Sequence, residues 1–121
     1  MKTNNIYLNV GYLNDIDGNA NKAMTQKKAM QITKKRVKAM GYCWNELASA
    51  KRHRHLTDMR KIVCTYLYDN LWTFPQIGKA LKMDHSSAIY HRRTFNELLQ
   101  TDDQMQTLWF QFKNNGTPSS K

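Results

Sequence analysis

Leu71–Leu99 reads LWTFPQIGKALKMDHSSAIYHRRTFNELL, and the placing of its polar residues divides it into two helices. Thr73 stands at an N-cap position, and Gln76 follows at the spacing that lets the two side chains satisfy each other's free backbone N–H groups. Pro75 is tolerated there because first-turn N–H groups have no helical partner. Lys82-Met83-Asp84 breaks the pattern, and Asp84 is placed to cap a second helix that opens His85-Ser86-Ser87. A helix, a short break and a second helix opening on polar groups is the outline of a helix-turn-helix, whose second helix enters the DNA major groove.

The chain on either side reads as helical support. Good helix formers dominate Thr25 to Met40 and Gly41 is a natural stop. Ala29, Ile32 and Met40 are the expected buried side, flanked by Lys34, Lys35, Arg36 and Lys38. Trp44 to Ala48 suits one or two further turns, with Trp44 and Leu47 available to a core. Lys51-Arg52-His53-Arg54-His55 lacks helical periodicity and reads as a loop. Thr57 can cap a helix over Asp58 to Asn70. There Met59, Ile62, Val63, Tyr66 and Asn70 form one line and Cys64, Leu67 and Leu71 a second. A helix apolar on more than one side is expected at the centre. Thr101 and Gln104 repeat the capping-box spacing ahead of Met105, Leu108, Trp109 and Phe112.

Residues 1–24 are polar and rich in asparagine. Ile6, Leu8, Val10 and Tyr12 alternate as a strand would, but no second strand is evident to pair with them. A flexible or loosely docked arm is expected over 1–24, a helical domain over 25–113 and a disordered tail over 114–121. Asp15 to Asn19 faintly resembles a calcium loop, but Ala20 and Gln26 stand where its glycine and glutamate belong, so it reads as a polar turn. The expected fold class is all-α, with about six helices, no sheet and no internal repeat.

The 121 residues suit one domain with a modest core. The formal net charge of +10 is unevenly placed. Residues 1–26 are neutral, residues 27–61 carry eleven Lys/Arg against Glu46 and Asp58, and residues 62–121 carry six against five. A concentrated basic block points to a polyanion, with nucleic acid ahead of an acidic membrane surface or a merely solvated face. No apolar run after Met1-Lys2 suits an export signal or a membrane span, so a cytoplasmic protein is expected. Cys43 and Cys64 are then expected to be free and partly buried. Together with His85 and His91 they lack the close paired spacing of a zinc site, so no metal or cofactor is expected. The few carboxylates do not cluster and no nucleophile–base set is visible, so the chain is not read as an enzyme. Trp44, Trp72 and Trp109 read as core residues rather than platforms for single strands.

Several separated parts then fit one pattern. Ile77-Gly78, a short turn and Asp84-His85-Ser86-Ser87 follow a basic loop, Ser49-Ala50-Lys51-Arg52-His53-Arg54, and an arginine, Arg60, on the central helix. From about Gln26 to Phe112 the chain thus resembles the C-terminal DNA-binding domain of the bacterial replication initiator DnaA, a Trp-repressor-like helical domain. That family has Asp-His-Thr-Thr at the start of its recognition helix. The chain departs from it in having Met83 where an arginine is common, a shorter turn, and a shorter segment between Arg60 and Pro75. It also lacks the initiator's ATPase: Gly78-Lys79-Ala80 has neither the earlier glycine nor the Ser/Thr of a phosphate loop.

The resemblance implies that the second helix reads the major groove while Arg52 and Arg54 enter an adjacent minor groove, which favours arginine when narrow. The alternative for both is diffuse attraction to phosphates. Asp84 can accept from a cytosine amino group, cap the helix, or do both through different oxygens. His85 can pack on a thymine methyl or donate to a base or phosphate. Ser86 and Ser87 can reach a base edge or phosphate, and Ser87 can equally help to cap. Ile89, one turn on, can touch a thymine methyl. Lys51, Arg60, Lys82, Arg92 and Arg93 are candidate phosphate partners, and Phe74 and Pro75 would lie against the sugar-phosphate backbone, Phe74 offering its N–H. His91 reads as a half-buried structural histidine. The expected function is that of a sequence-specific double-stranded DNA-binding protein, monomeric on DNA, serving replication or transcription alongside proteins of those processes. Small phage or mobile-element proteins suit that role. The rivals are a structural protein that docks on a replication or virion protein, and an RNA-binding adaptor.

Overall fold

The computed structural model describes residues 14–114, with side chains described from residue 22 onward. Six helices and no strand occur among them: α1 (Asn14–Ala39), α2 (Trp44–Leu47), α3 (Arg54–Asp69), α4 (Phe74–Leu81), α5 (His85–Thr101) and α6 (Asp103–Lys113). The fold is all-α. None of these helices is long and apolar enough to cross a membrane.

Helix α3 is the hub and packs against each of the other five. Leu56, Met59, Ile62, Val63, Cys64 and Leu67 are all buried in it, so its two apolar lines meet neighbours on both sides. Ala29, Thr33 and Val37 of α1, Leu47 of α2, Ile77 and Leu81 of α4, Ala88 and Phe95 of α5, and Met105 and Phe112 of α6 complete the core.

Three helix ends share one device. After α1, α3 and α4 a residue with positive φ (Gly41 at 89°, Leu71 at 76°, Lys82 at 55°) turns the chain. The next residue's N–H then reaches back to a carbonyl five residues earlier: Tyr42 to Val37, Trp72 to Leu67, Met83 to Gly78. This is the Schellman arrangement, and the apolar residue that follows the turn packs inward in each case. Only the first of the three turns has glycine at its left-handed position.

Four expectations need correction. Residues 14–24, expected within the arm, belong to helix α1, which runs from Asn14; residues 15–19 are therefore helical rather than a polar turn. Asn14, Asp15 and Asp17 suit the positive end of the helix dipole, and the Ala20–Met24 stretch contains nothing that breaks it. The alternating residues 6–12 lie outside the described residues, as does the tail beyond Asn114. Helix α3 begins at Arg54 rather than Asp58, with His53 at the cap. Thr57 caps nothing, since its hydroxyl donates to the Arg54 carbonyl inside the first turn. Thr101 is likewise the last residue of α5, and Asp102 takes the cap of α6 by accepting from the Gln104 N–H at 3.0 Å. A one-residue link between two helices leaves that extended residue to do the capping. The fourth correction concerns Cys43, which is exposed, whereas Cys64 is fully buried.

Candidate nucleic-acid interface

The α4–α5 pair carries the features anticipated for a helix-turn-helix. Thr73 Oγ1 accepts from the Gln76 N–H at 3.3 Å, and Gln76 Oε1 accepts from the Thr73 N–H at 2.9 Å. Gly78 explains how closely the two helices approach. A Cβ added there would stand 2.6 Å from the Met83 carbonyl oxygen and 3.3 Å from the His85 nitrogen, both backbone atoms that cannot step aside.

That close approach exposes the first turn of α5. Asp84, His85 and Ser86 are exposed, Ser87 is half-buried, and Ala88 is buried against the core. Asp84 has the extended backbone of a cap residue, yet its carboxylate makes no capping hydrogen bond. Its carbonyl accepts from Ser87 and Ala88, which leaves the His85 and Ser86 N–H groups without a partner among the described residues. Ile89 and Tyr90 continue the exposed face, at 37% and 53% exposure.

The basic loop is held by an arginine that was expected to touch phosphate. Arg60 is only 5% exposed. Its Nε donates to the Leu47 carbonyl at 2.8 Å, and Nη2 donates to the Glu46 and Ser49 carbonyls, each at 3.1 Å. Arg60 is therefore a clamp on the residues that launch the loop, because those carbonyls at the end of the short α2 have no helical partner. Ser49 Oγ accepts from the Lys51 N–H, and Lys51 pairs with Glu46 at 3.3 Å, which steadies the loop further.

The loop arginines separate. Arg52 is exposed and lines a cleft of about 550 Å³ together with Ser49, Arg60, Lys61, Lys82, Ser86, Ser87, Tyr90 and His91. Arg54 is in α3 and lines a different cleft with Tyr42, His55 and Asp58. It lies near Asp58 at 3.6 Å and Asp102 at 3.9 Å. The expectation that both stand in one loop is corrected: the earlier start of α3 puts Arg54 in a helix, and the two arginines border different clefts.

The remaining expected contacts divide in the same way. Lys82 is exposed on the rim of the larger cleft, and Arg93 is exposed on α5. Arg92 is engaged: it pairs with Asp69 at 3.4 Å and lies 4.5 Å from the centre of the Tyr68 ring. Tyr68 stacks in turn on Phe74 at 4.4 Å. This ladder joins α5 to α3 and the start of α4, so Arg92 and Phe74 hold α5 in place. Phe74 keeps its backbone N–H free at the α4 N-terminus, and Pro75 is exposed beside it.

Two cleft residues escaped the sequence reading. Lys61 is 8% exposed and makes no hydrogen bond or ion pair among the described residues. Its only sequence signal was a cation lying between apolar positions of the central helix. Tyr90 is exposed on the cleft, where the helical period gave no reason to prefer it over its neighbours. His91 is half-buried as expected, but its Nδ1 is sealed from solvent without a partner. Burial lowers its pKa to about 4, and the Lys61 and Arg60 charges add to the effect. No group of three potential metal ligands occurs among the described residues.

No protein-family model matches the chain, and comparison with curated proteins and with solved structures found no match.

Proposed function

We propose that the protein binds double-stranded DNA sequence-specifically through α5, as an initiator-like helix-turn-helix reader without an ATPase of its own, serving replication or transcription. The observation that carries this reading is the exposed first turn of α5, with a free Asp84 carboxylate, His85, Ser86 and two unpartnered N–H groups, standing beside a cleft whose charged lining residues are all cationic. Asp84 and His85 supply base-edge chemistry, and Arg52, Lys82 and Arg93 supply attraction to phosphate. Arg52, reaching out from the clamped loop, is the one arginine placed to enter a neighbouring minor groove.

Selection of bound sequences from random duplex DNA tests the reading. A single recurrent site is expected, preferred over scrambled duplex by about 10³-fold or more at physiological salt. His85→Ala should relax preference at one or two positions by about 1–3 kcal/mol, whereas Arg52→Ala should weaken the preference for an A·T-rich flank. Equal affinity for selected and scrambled duplex would sink the proposal.

A further inference from the structure

The larger cleft contains an electrostatic imbalance that the exposed reading face does not explain. Lys61 projects from α3 at 8% exposure, and no carboxylate lies among the residues lining the cleft. Its stem is covered and its ammonium meets the cleft, where cations held close together are ordinarily balanced by a carboxylate or a carbonyl. The groups facing it are instead Arg60 from its own helix, His91 from α5, Arg52 from the loop and Lys82 from the end of α4. His91 adds a second uncompensated atom, the sealed Nδ1. The hydroxyls of Ser86 and Ser87 border the same space.

We infer that this cleft seats one phosphate group, gripped from its floor by Lys61 and His91 and from its rims by Arg52 and Lys82. The inference rests on the DNA reading for its source, a phosphodiester of the bound duplex lying between the loop and α5. The seat itself rests on the lining, in which Arg52, Arg60, Lys61 and Lys82 border one space with no acid among them. A phosphate offers several acceptor oxygens and a full negative charge, which matches a pocket containing many donors and no acid. Once it is seated, the anion reverses the field at His91, which then takes up a proton and becomes a further cation in the cleft. Lys61 and His91 are thereby given a role in binding, and the depth of the cleft gains a purpose beyond the exposed reading face.

Inorganic phosphate titrated into the folded protein is the test, followed by NMR of the His91 imidazole, whose signals are those absent from His91→Gln. A saturable shift is expected, together with an upward move of the His91 titration, neither of them reproduced by chloride at the same ionic strength. Lys61→Met should abolish both while keeping the melting temperature of the unaltered protein, since methionine keeps most of the side-chain volume and covers the same apolar surface as the lysine stem. Lack of a saturable response, or a response that survives in Lys61→Met, overturns the seat. The duplex arm assigns the source. Lys61→Met should weaken binding to the selected duplex about tenfold and lower the slope of log affinity against log salt by about 1. Selected-duplex binding that Lys61→Met leaves unchanged overturns the phosphodiester assignment, whatever free phosphate does. Loss of the phosphate response in Lys61→Met with no specific duplex binding would uphold the seat and sink the DNA reading alone.

Discussion

Lys82 concentrates a conflict between stability and binding in one residue. It occupies the left-handed position that ends α4, with φ 55° and ψ 49°, where glycine would sit without strain. It also places an ammonium on the rim of the cationic cleft. Lys82→Gly should therefore raise stability by about 0.5–1 kcal/mol in chemical denaturation while weakening duplex binding, and a loss of both would refute the division of roles. His91 makes a second residue-scale prediction through pH. Its folded pKa of about 4 lies below the ordinary 6.5, so between those values the unfolded chain takes up a proton that the folded chain refuses. The stability it permits is complete above pH 6.5 and declines as the pH falls towards 4. Denaturation midpoints measured across that window in phosphate-free buffer should fall less steeply for His91→Gln. Parallel curves would show that the imbalance around His91 has been misread.

At the scale of elements, α2 and the basic loop depend on Arg60. Replacing it by methionine keeps most of the volume but strands the carbonyls of Leu47 and Ser49 and leaves that of Glu46 only the Ser49 hydroxyl. Arg60→Met should cost about 2–4 kcal/mol and should loosen residues 49–53 in hydrogen exchange before it affects α5. Local sequence spacing foretold the elements whose ends are set locally, and failed where a distant partner decides. The Thr73–Gln76 box and the α4 start are fixed within four residues, so they were legible. The N-terminus of α3 was not, because nothing near Arg54 caps it and the helix gains its first turn by burying Leu56. Arg60 looked like a phosphate ligand because a charged residue at a helix start says nothing about three carbonyls found eleven to fourteen positions away. Lys61 was passed over for the complementary reason: a cation among apolar residues gains its meaning only when the lack of a counter-charge in space can be seen. The break at Lys82 is legible in the sequence, whereas Leu71 reads as part of an apolar line of α3 and instead turns the chain, exposed; the geometry of both turns is hidden, since neither position holds glycine.

The whole molecule is organised about α3, and Cys64 lies within that helix with no exposure at all. Burial pushes its thiol up to about 12, outweighing the opposing influence of Arg60 and Lys61. In the unfolded chain the same thiol would titrate near about 8.5. The reactive thiolate is thus suppressed twice in the native state, by access and by ionisation. Because α3 packs against each of the other five helices, release of Cys64 is expected to require opening of the core they share. Cys43 differs on both counts, being exposed at the cap of α2. A thiol reagent at mildly alkaline pH should therefore label Cys43 at once and Cys64 only at the rate set by global unfolding. Leu67→Ala, which opens a cavity one turn from Cys64, should cost about 2–5 kcal/mol and accelerate Cys64 labelling by the matching factor, with Cys43 unaffected. Labelling of Cys64 that ignores Leu67→Ala would mean that α3 frays locally and is not the shared core of the domain.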